Sequence, residues 1–442
     1  MAEIRAFKGV RYNLDDVGDG GLVASPPYDV IDDKLQQELY DRHPANVVRI
    51  IQGKSSPGEG ADDNVYTRAR TNYQNWLSEG ILKADDARSI YVYTQTFDVD
   101  TPDGVQRKSR QGIVCVVEIH KLGEGGIYPH EHTMPGPKKD RLELMRHTEA
   151  AFGQIFSLFS DPNFHVRSVL QPHLEGPPLF EFDDPDEVTH SFWKVDDPKT
   201  VERVCEFLGT CELFIADGHH RYETGVNYKD ERLANGGELG AGYCYRMQTL
   251  VNMDDSDGMA INPIHRVVTD VSAEDLAKLK SRLGEFFEVE EIPFGDIETV
   301  IREIASRAEP GRACMGALLG TADTVTVLKL RSDSNIAALD GENHSEAWRL
   351  LDSGLLQLIL GEILDLDTEA LIKGEKVRFI KVEDEVRKSV QSSSGNVGFY
   401  LNPVGMQQLR DVVLAGERMP PKSTFFYPKV FTGLVIQDFN RS

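Results

Sequence analysis

The 442-residue sequence predicts a mixed α+β fold, and three observations carry that expectation. Short apolar or alternating runs of strand length recur along the chain, many rich in Val, Ile and Tyr. Longer segments between them place apolar residues at helical spacing. Both patterns occur along the chain, with no internal repeat and no low-complexity stretch. A chain of this length has volume for two or three domains and an ample core.

The first sixty residues open with a short strand and then Ser25-Pro26-Pro27-Tyr28-Asp29. Two adjacent prolines hold the backbone extended. The strip is either a rigid connector or a presenter of Tyr28 and Asp29 to a cleft. Asp32 to Arg42 predicts a helix, Gly53 to Gly60 a polar loop, and Asp62 to Ser78 a second helix with an apolar stripe. Ser89 to Phe97 and Gln111 to His120 flank Thr101-Pro102-Asp103-Gly104, which predicts an antiparallel hairpin.

Residues 127–141 are dense in polar groups between prolines, with a helix expected from Leu142 onward. Three readings compete. His130-x-His132 in extended chain could ligate a transition metal, although no HExxH spacing or second cluster accompanies it. The segment could be an ordinary polar loop. The third takes Glu131 as a catalytic or Mg²⁺-side carboxylate, with His130, Lys138 and Arg141 facing phosphate.

Pro198 to Leu208 predicts a helix that delivers the chain to Leu213-Phe214-Ile215-Ala216, a buried strand. Asp217-Gly218 breaks that run, His219-His220-Arg221 follow, and helical spacing resumes from Tyr222 to Leu233. A strand turning through glycine into a helix N-terminus favours anions, and an arginine there can grip two phosphate oxygens. The plainer reading is a turn with histidines capping a helix. Gly242 to Val251 predicts another strand; His265-Arg266 reads equally as a phosphate contact or a core pair.

From Ser272 helices (272–284, 295–307) and strands (285–291, 313–319, 323–330) predict a compact α+β unit. Residues 345–372 form a Leu-rich helical stretch of core character, followed by strand 376–382, helix 383–391 and strand 397–401. Near the end, Met419-Pro420-Pro421-Lys422-Ser423-Thr424 lacks the glycine-rich run of a P-loop. Lys422, Ser423 and Thr424 either close over a phosphate or belong to a rigid tail covering a sheet edge.

Asp217-Gly218-His219-His220-Arg221 resembles the phosphate-binding turn of the ParB/sulfiredoxin superfamily, in which free L-serine kinases are similar by this motif. Over nearly its whole length the chain resembles a large prokaryotic family of uncharacterised proteins. Pro26-Pro27-Tyr28-Asp29-Val30, His130-Glu131-His132-Thr133, Asp140-Arg141, the turn and the 419–424 stretch carry that likeness. The resemblance implies three segments. Residues 1–130 would be an N-terminal α+β region contributing to the cleft. Residues 131–270 would be a ParB/sulfiredoxin-like phosphate-binding core, and 271–442 a C-terminal α+β region. It implies a Mg²⁺-dependent phosphotransferase using ATP or ADP, with L-serine or O-phosphoserine as the small-molecule substrate. Gly218, His219, His220 and Arg221 would hold phosphates. Asp217 would ligate Mg²⁺ or accept a hydroxyl proton, and Glu131 is the rival base. Two alternatives stay open: a non-catalytic ParB-type nucleotide switch, and a metal-dependent hydrolase using His130 and His132.

Composition narrows the partners. The net charge of −24 argues against nucleic acid, which needs a basic footprint. Five cysteines without a CxxC pair predict free thiols and a cytoplasmic setting. No apolar window predicts a membrane span. Self-association into a homo-oligomer is compatible with the sequence.

Overall fold

The computed structural model describes residues 1–101, 104–131, 133, 135–309, 311–320, 323–366 and 376–441. Pro102, Asp103 and His132 lie outside the described residues. The fold is mixed α+β, built on two larger sheets. Contacts group the chain into two units. Unit 1 is Met1–Pro129, Thr133–Ala260 and Pro428–Ser442; unit 2 is His130–His132 and Ile261–Tyr427. This grouping departs from chain order, whereas the expected segments 1–130, 131–270 and 271–442 follow it. The last residues return to unit 1 as edge partners: Val10 bridges Ile436, Ser25 bridges Thr432, and Gln437–Asp438 pairs with Ala150–Ala151.

Unit 1 holds a nine-stranded mixed sheet. Its strands are β1 (Ile4–Arg5), β2 (Ile90–Thr101), β3 (Gly104–Glu118), β4 (Ile127–Pro129), β5 (Ile155–Phe159), β6 (Phe180–Asp183), β7 (Thr189–Val195), β8 (Leu213–Asp217) and β9 (Tyr245–Asn252). The order is β4-β8-β5-β9-β3-β2-β7-β6, with β1 on β3. The expected hairpin is the β2–β3 pair, in register from Tyr91 opposite Val114 to Thr101 opposite Gly104. Strand β8 is buried from Leu213 to Ala216, as its continuous apolar run requires, and runs parallel to β4 but antiparallel to β5.

Two helices of unit 1 pack against each other and carry several of the expected site residues. Helix α1 (Pro135–Thr148) begins in the stretch expected as loop, so Lys138 and Arg141 stand on a helix. A proline in the first helical turn leaves no N–H without a partner, which is why the proline-rich stretch can open a helix. Helix α2 (His219–Ala234) begins three residues before the periodicity announced it. His219, His220 and Arg221 are therefore its first turn, with Gly218 as N-cap.

Unit 2 carries a six-stranded sheet in the order Phe287–Pro293, Thr324–Leu330, Cys314–Leu319, Val397–Tyr400, His265–Val268, Val377–Ile380. Among its described residues the Leu-rich stretch holds two helices, Glu346–Arg349 and Asp352–Leu364, while residues 367–372 lie outside the described residues. Leu355, Leu356, Ile359, Leu360 and Ile363 of the second are buried against that sheet's Met315, Leu328 and Phe399. All five cysteines are free thiols. No described helix is long and apolar enough to cross a membrane.

Candidate functional site

The site in unit 1 begins at the end of β8. A bulge shifts the register between Ile215, opposite Ser157, and Asp217, opposite Phe156. Bulges re-aim side chains at strand ends, and here the re-aimed group is the Asp217 carboxylate. Its Oδ2 accepts a hydrogen bond from Lys429 Nζ at 2.7 Å, and Oδ1 lies 3.6 Å from an Arg221 guanidinium nitrogen. Burial alone would raise this carboxyl, but Lys429 and then Arg221 override it and hold it well below the ordinary carboxylate range.

Gly218 has φ +92°, the left-handed region that glycine enters without strain. A Cβ there would also lie 3.1 Å from the Arg221 guanidinium carbon. The glycine therefore turns the chain and lets the arginine fold back over it. Arg221 is buried and donates to the Gln154 carbonyl.

A pocket opens beside this arginine, lined by Pro27, Tyr28, Arg141, Gly153, Arg221 and Arg246 among others. The Pro26-Pro27 strip thus presents Tyr28 to the pocket. The Arg141 guanidinium lies 4.1 Å over the Tyr28 ring, donates to Asp140 at 2.7 Å, and bonds the Ile51 carbonyl at 2.7 Å. Its charge is matched by Asp140.

Arg246 differs from both. It sits on β9 and is 3 % exposed, yet its Nε and Nη1 have no hydrogen-bond partner among the described residues. Its stem passes Gly225 of α2, where a Cβ would lie only 2.8 Å from Arg246 Cδ. Burial, and then the neighbouring charge of Arg221, push this guanidinium below the ordinary arginine value. Arginine nevertheless stays protonated at neutral pH. A buried cation without partners is expensive unless an anion joins it. The cavity is about 40 Å³, room for about three waters or the oxygens of one phosphoryl group.

The other expected residues of unit 1 do not line this pocket. Lys138 Nζ pairs with Glu223 at 2.7 Å and reaches Thr133 at 3.1 Å. Burial lowers His220, while Asp29 and Glu223 pull it the other way. His219 is buried and contributes positive potential at Asp217. Arg246 was invisible to motif reasoning. Its one signal is an arginine within an otherwise buried strand, where that residue type is rare unless paired.

Unit 2 gathers the remaining expected residues into a cluster of its own. His130 is buried, its Nε2 lies 2.9 Å from Thr424 Oγ1, and its carbonyl accepts from the Met419 N–H at 2.9 Å. Glu131 Oε1 accepts from the Lys422 N–H at 3.3 Å, and Lys422 adopts φ +52°. Ser423 is buried, bonding the Pro420 carbonyl at 2.7 Å and Ser353 Oγ at 2.8 Å. His132 lies outside the described residues, and no group of three or more His, Cys, Asp or Glu side chains suited to a metal occurs among those described.

Residues 4–353 match the family described as Protein of unknown function (DUF1015), and the chain belongs to that family. No curated protein matches it. Among solved structures it is similar to a variant free serine kinase in complex with AMP, at 12 % identity and TM-score 0.33, covering 68 % of this chain and 84 % of that one. A second variant of a free serine kinase, in complex with ADP, gives 12 % identity, the same coverages and TM-score 0.32. A conserved hypothetical protein from Pyrococcus furiosus gives 12 % identity and TM-score 0.31, covering 69 % and 89 %. Likeness at this level assigns no activity.

Proposed function

We propose that the arginine pocket of this DUF1015 family member holds a phosphoryl group of ATP or ADP. The protein would move that group to or from a small hydroxy-amino acid, with L-serine and O-phosphoserine suggested by the sequence resemblance. One observation carries the reading: Arg246 is buried with two guanidinium nitrogens unpartnered, in a cavity of phosphoryl size that Arg221 also lines. Each charge-assisted bond from such a group to phosphate contributes about 1.5–3 kcal/mol. The cavity itself is of phosphoryl size, so the nucleobase of a bound nucleotide would lie outside it.

Arg221 and Arg246 would take the phosphoryl oxygens, with Arg141, braced on Tyr28 and Asp140, closing the side. Loose phosphoryl transition states need positioning and charge neutralisation above all, which suits an arginine set without a nucleophile. Asp217 is a weak base while two cations hold it ionised, and its fitting role is to anchor Lys429. Magnesium fits Asp217 poorly for the same reason, because both carboxylate oxygens already face cations. We assign no step to a metal at that residue.

Phosphorus NMR with Mg²⁺ tests the proposal, using ATP or ADP with L-serine, and O-phosphoserine with ADP or AMP. The expected result is a new or consumed phosphomonoester signal that Arg246→Met abolishes. Nucleotide peaks that broaden without turnover would favour a switch that leaves nucleotide intact. Sharp, unchanged peaks would overturn the phosphate reading.

A further inference from the structure

Unit 2 has a cavity of its own, of about 450 Å³, within the range of small-molecule pockets. Ile264, Leu350, Leu401, Pro403 and Val404 give it an apolar wall. Asp352, the first residue of the helix Asp352–Leu364, also lines it.

The two oxygens of Asp352 are used unequally. Oδ2 accepts from the Asn402 backbone N–H at 2.8 Å and from Asn402 Nδ2 at 2.9 Å. Oδ1 has no partner among the described residues, and no cation pairs with this carboxyl. Anchoring the Asn402 loop therefore accounts for one oxygen only. Arg312, the cation on the cavity wall, is committed elsewhere. Its Nε bonds the Leu330 carbonyl at 2.9 Å, Nη2 bonds Glu288 at 2.8 Å, and Nη1 faces Glu309 at 3.5 Å. Glu309 is bound by Lys329 at 2.7 Å, and Asp411 accepts from Gln407 at 2.7 Å.

Burial pushes the Asp352 carboxyl up to about 6, against the pull of the Asn402 donors. At neutral pH it is mostly ionised, with no counter-charge of its own. A carboxylate in that state is stabilised by any cation that can reach it.

We propose that this cavity binds a small organic cation, a primary ammonium on a short apolar body. The ammonium would donate to Asp352 Oδ1, and the body would lie against Ile264, Leu401 and Val404. The inference is independent of the phosphate reading, since every residue it uses belongs to unit 2.

Calorimetric titration of the full chain with 3-methylbutylamine, and with its neutral isostere 3-methylbutan-1-ol, tests it. The amine is expected to bind about tenfold or more tightly than the alcohol, a gap that one partly buried charge pair supplies. Asp352→Asn, which can still accept from Asn402, should erase the preference, while Asp411→Asn should leave it intact. In the unaltered protein the preference should shrink as pH falls from about 8 to about 5, because Asp352 takes up a proton over that range. Glu309, Arg312 and Asp411 also face the cavity, and the Cys314 thiol feels the Asp352 charge. Should Asp352→Asn not fold, the pH series decides alone. Equal binding of amine and alcohol, a preference that survives Asp352→Asn or ignores pH, or no heat from either compound at millimolar concentration would overturn the proposal.

Discussion

Arg266 in unit 2 and Arg246 in unit 1 are both buried, at 5 % and 3 % exposure, and burial lowers both below the ordinary arginine value. Their surroundings differ in one respect. Arg266 donates to the carbonyls of Ile264 at 2.6 Å, Pro421 at 3.0 Å and Lys422 at 3.0 Å, with Glu131 adding negative potential. Arg246 has no partner for Nε and Nη1 among the described residues, and the neighbouring charge that shifts it is another cation, Arg221. Burial alone therefore does not separate an arginine with backbone partners from one proposed to bind a ligand. Hydrogen-bond accounting does, because a buried donor without an acceptor is costly to keep. Arg266 clamps the 419–424 stretch, so its partners are the backbone itself. Arg246, in the proposed reading, would take its partners from an anion.

Replacing each arginine by methionine sharpens that contrast most. Arg266→Met should lower stability by about 3 kcal/mol or more, since it strips several buried carbonyls of their donors. Anion binding by the folded protein should not change. Arg246→Met should leave stability unchanged or raise it by about 1 kcal/mol, because an unpaired buried charge is replaced by an apolar side chain. It should weaken nucleotide or pyrophosphate binding by about 2–4 kcal/mol. Denaturant melts paired with titration calorimetry read both quantities, and matching stability losses in the two variants would break the contrast. Arg221→Ala should weaken nucleotide binding by a few kcal/mol as well, leaving phosphate charge unpaired. Retained affinity would remove the turn from the site.

Lys429→Met probes the neighbouring ion pair and should cost about 2–3 kcal/mol at neutral pH. The sign with pH follows from Asp217. Its carboxyl is held below the unfolded value, so its contribution is present above roughly pH 4 and lost as pH falls through the folded value. Without Lys429 that carboxyl rises, and the acid limb of the stability curve should move to higher pH. An unmoved acid limb would mean that Arg221 suffices. Gly218→Ala should cost about 1–2 kcal/mol through its positive φ and its approach to Arg221. Glu131→Gln is expected to have the smallest effect on stability. Loss of turnover with retained nucleotide affinity would make Glu131 the base, whereas an unaltered rate would release it.

Local chemistry made much of this molecule legible. The apolar run 213–216 reads as a buried strand, the glycine that follows Asp217 marks the turn, and the 198–208 segment carries a helix at its predicted bounds. The strand-to-helix turn and Arg221 were therefore readable as a candidate anion site, because backbone geometry and residue type suffice to mark one. Periodicity placed the start of α2 three residues late, since His219, His220 and Arg221 are helical without being an apolar stripe. It read residues 345–372 as core, which holds for the buried leucines but hid Asp352 at a helix start.

Tertiary structure alone decided the rest, for a physical reason common to each case. Whether a charge is matched depends on partners far away in sequence. Asp217 meets Lys429 across 212 positions, and Asp352 meets Asn402 across 50. Arg246 meets no hydrogen-bond acceptor for its Nε and Nη1 among the described residues. The sequence by itself determined an acidic α+β chain with a strand–glycine–helix turn, because those properties are local or additive. The tertiary structure decided which buried charges remain unsatisfied, because satisfaction is a property of the packed neighbourhood and not of the residue.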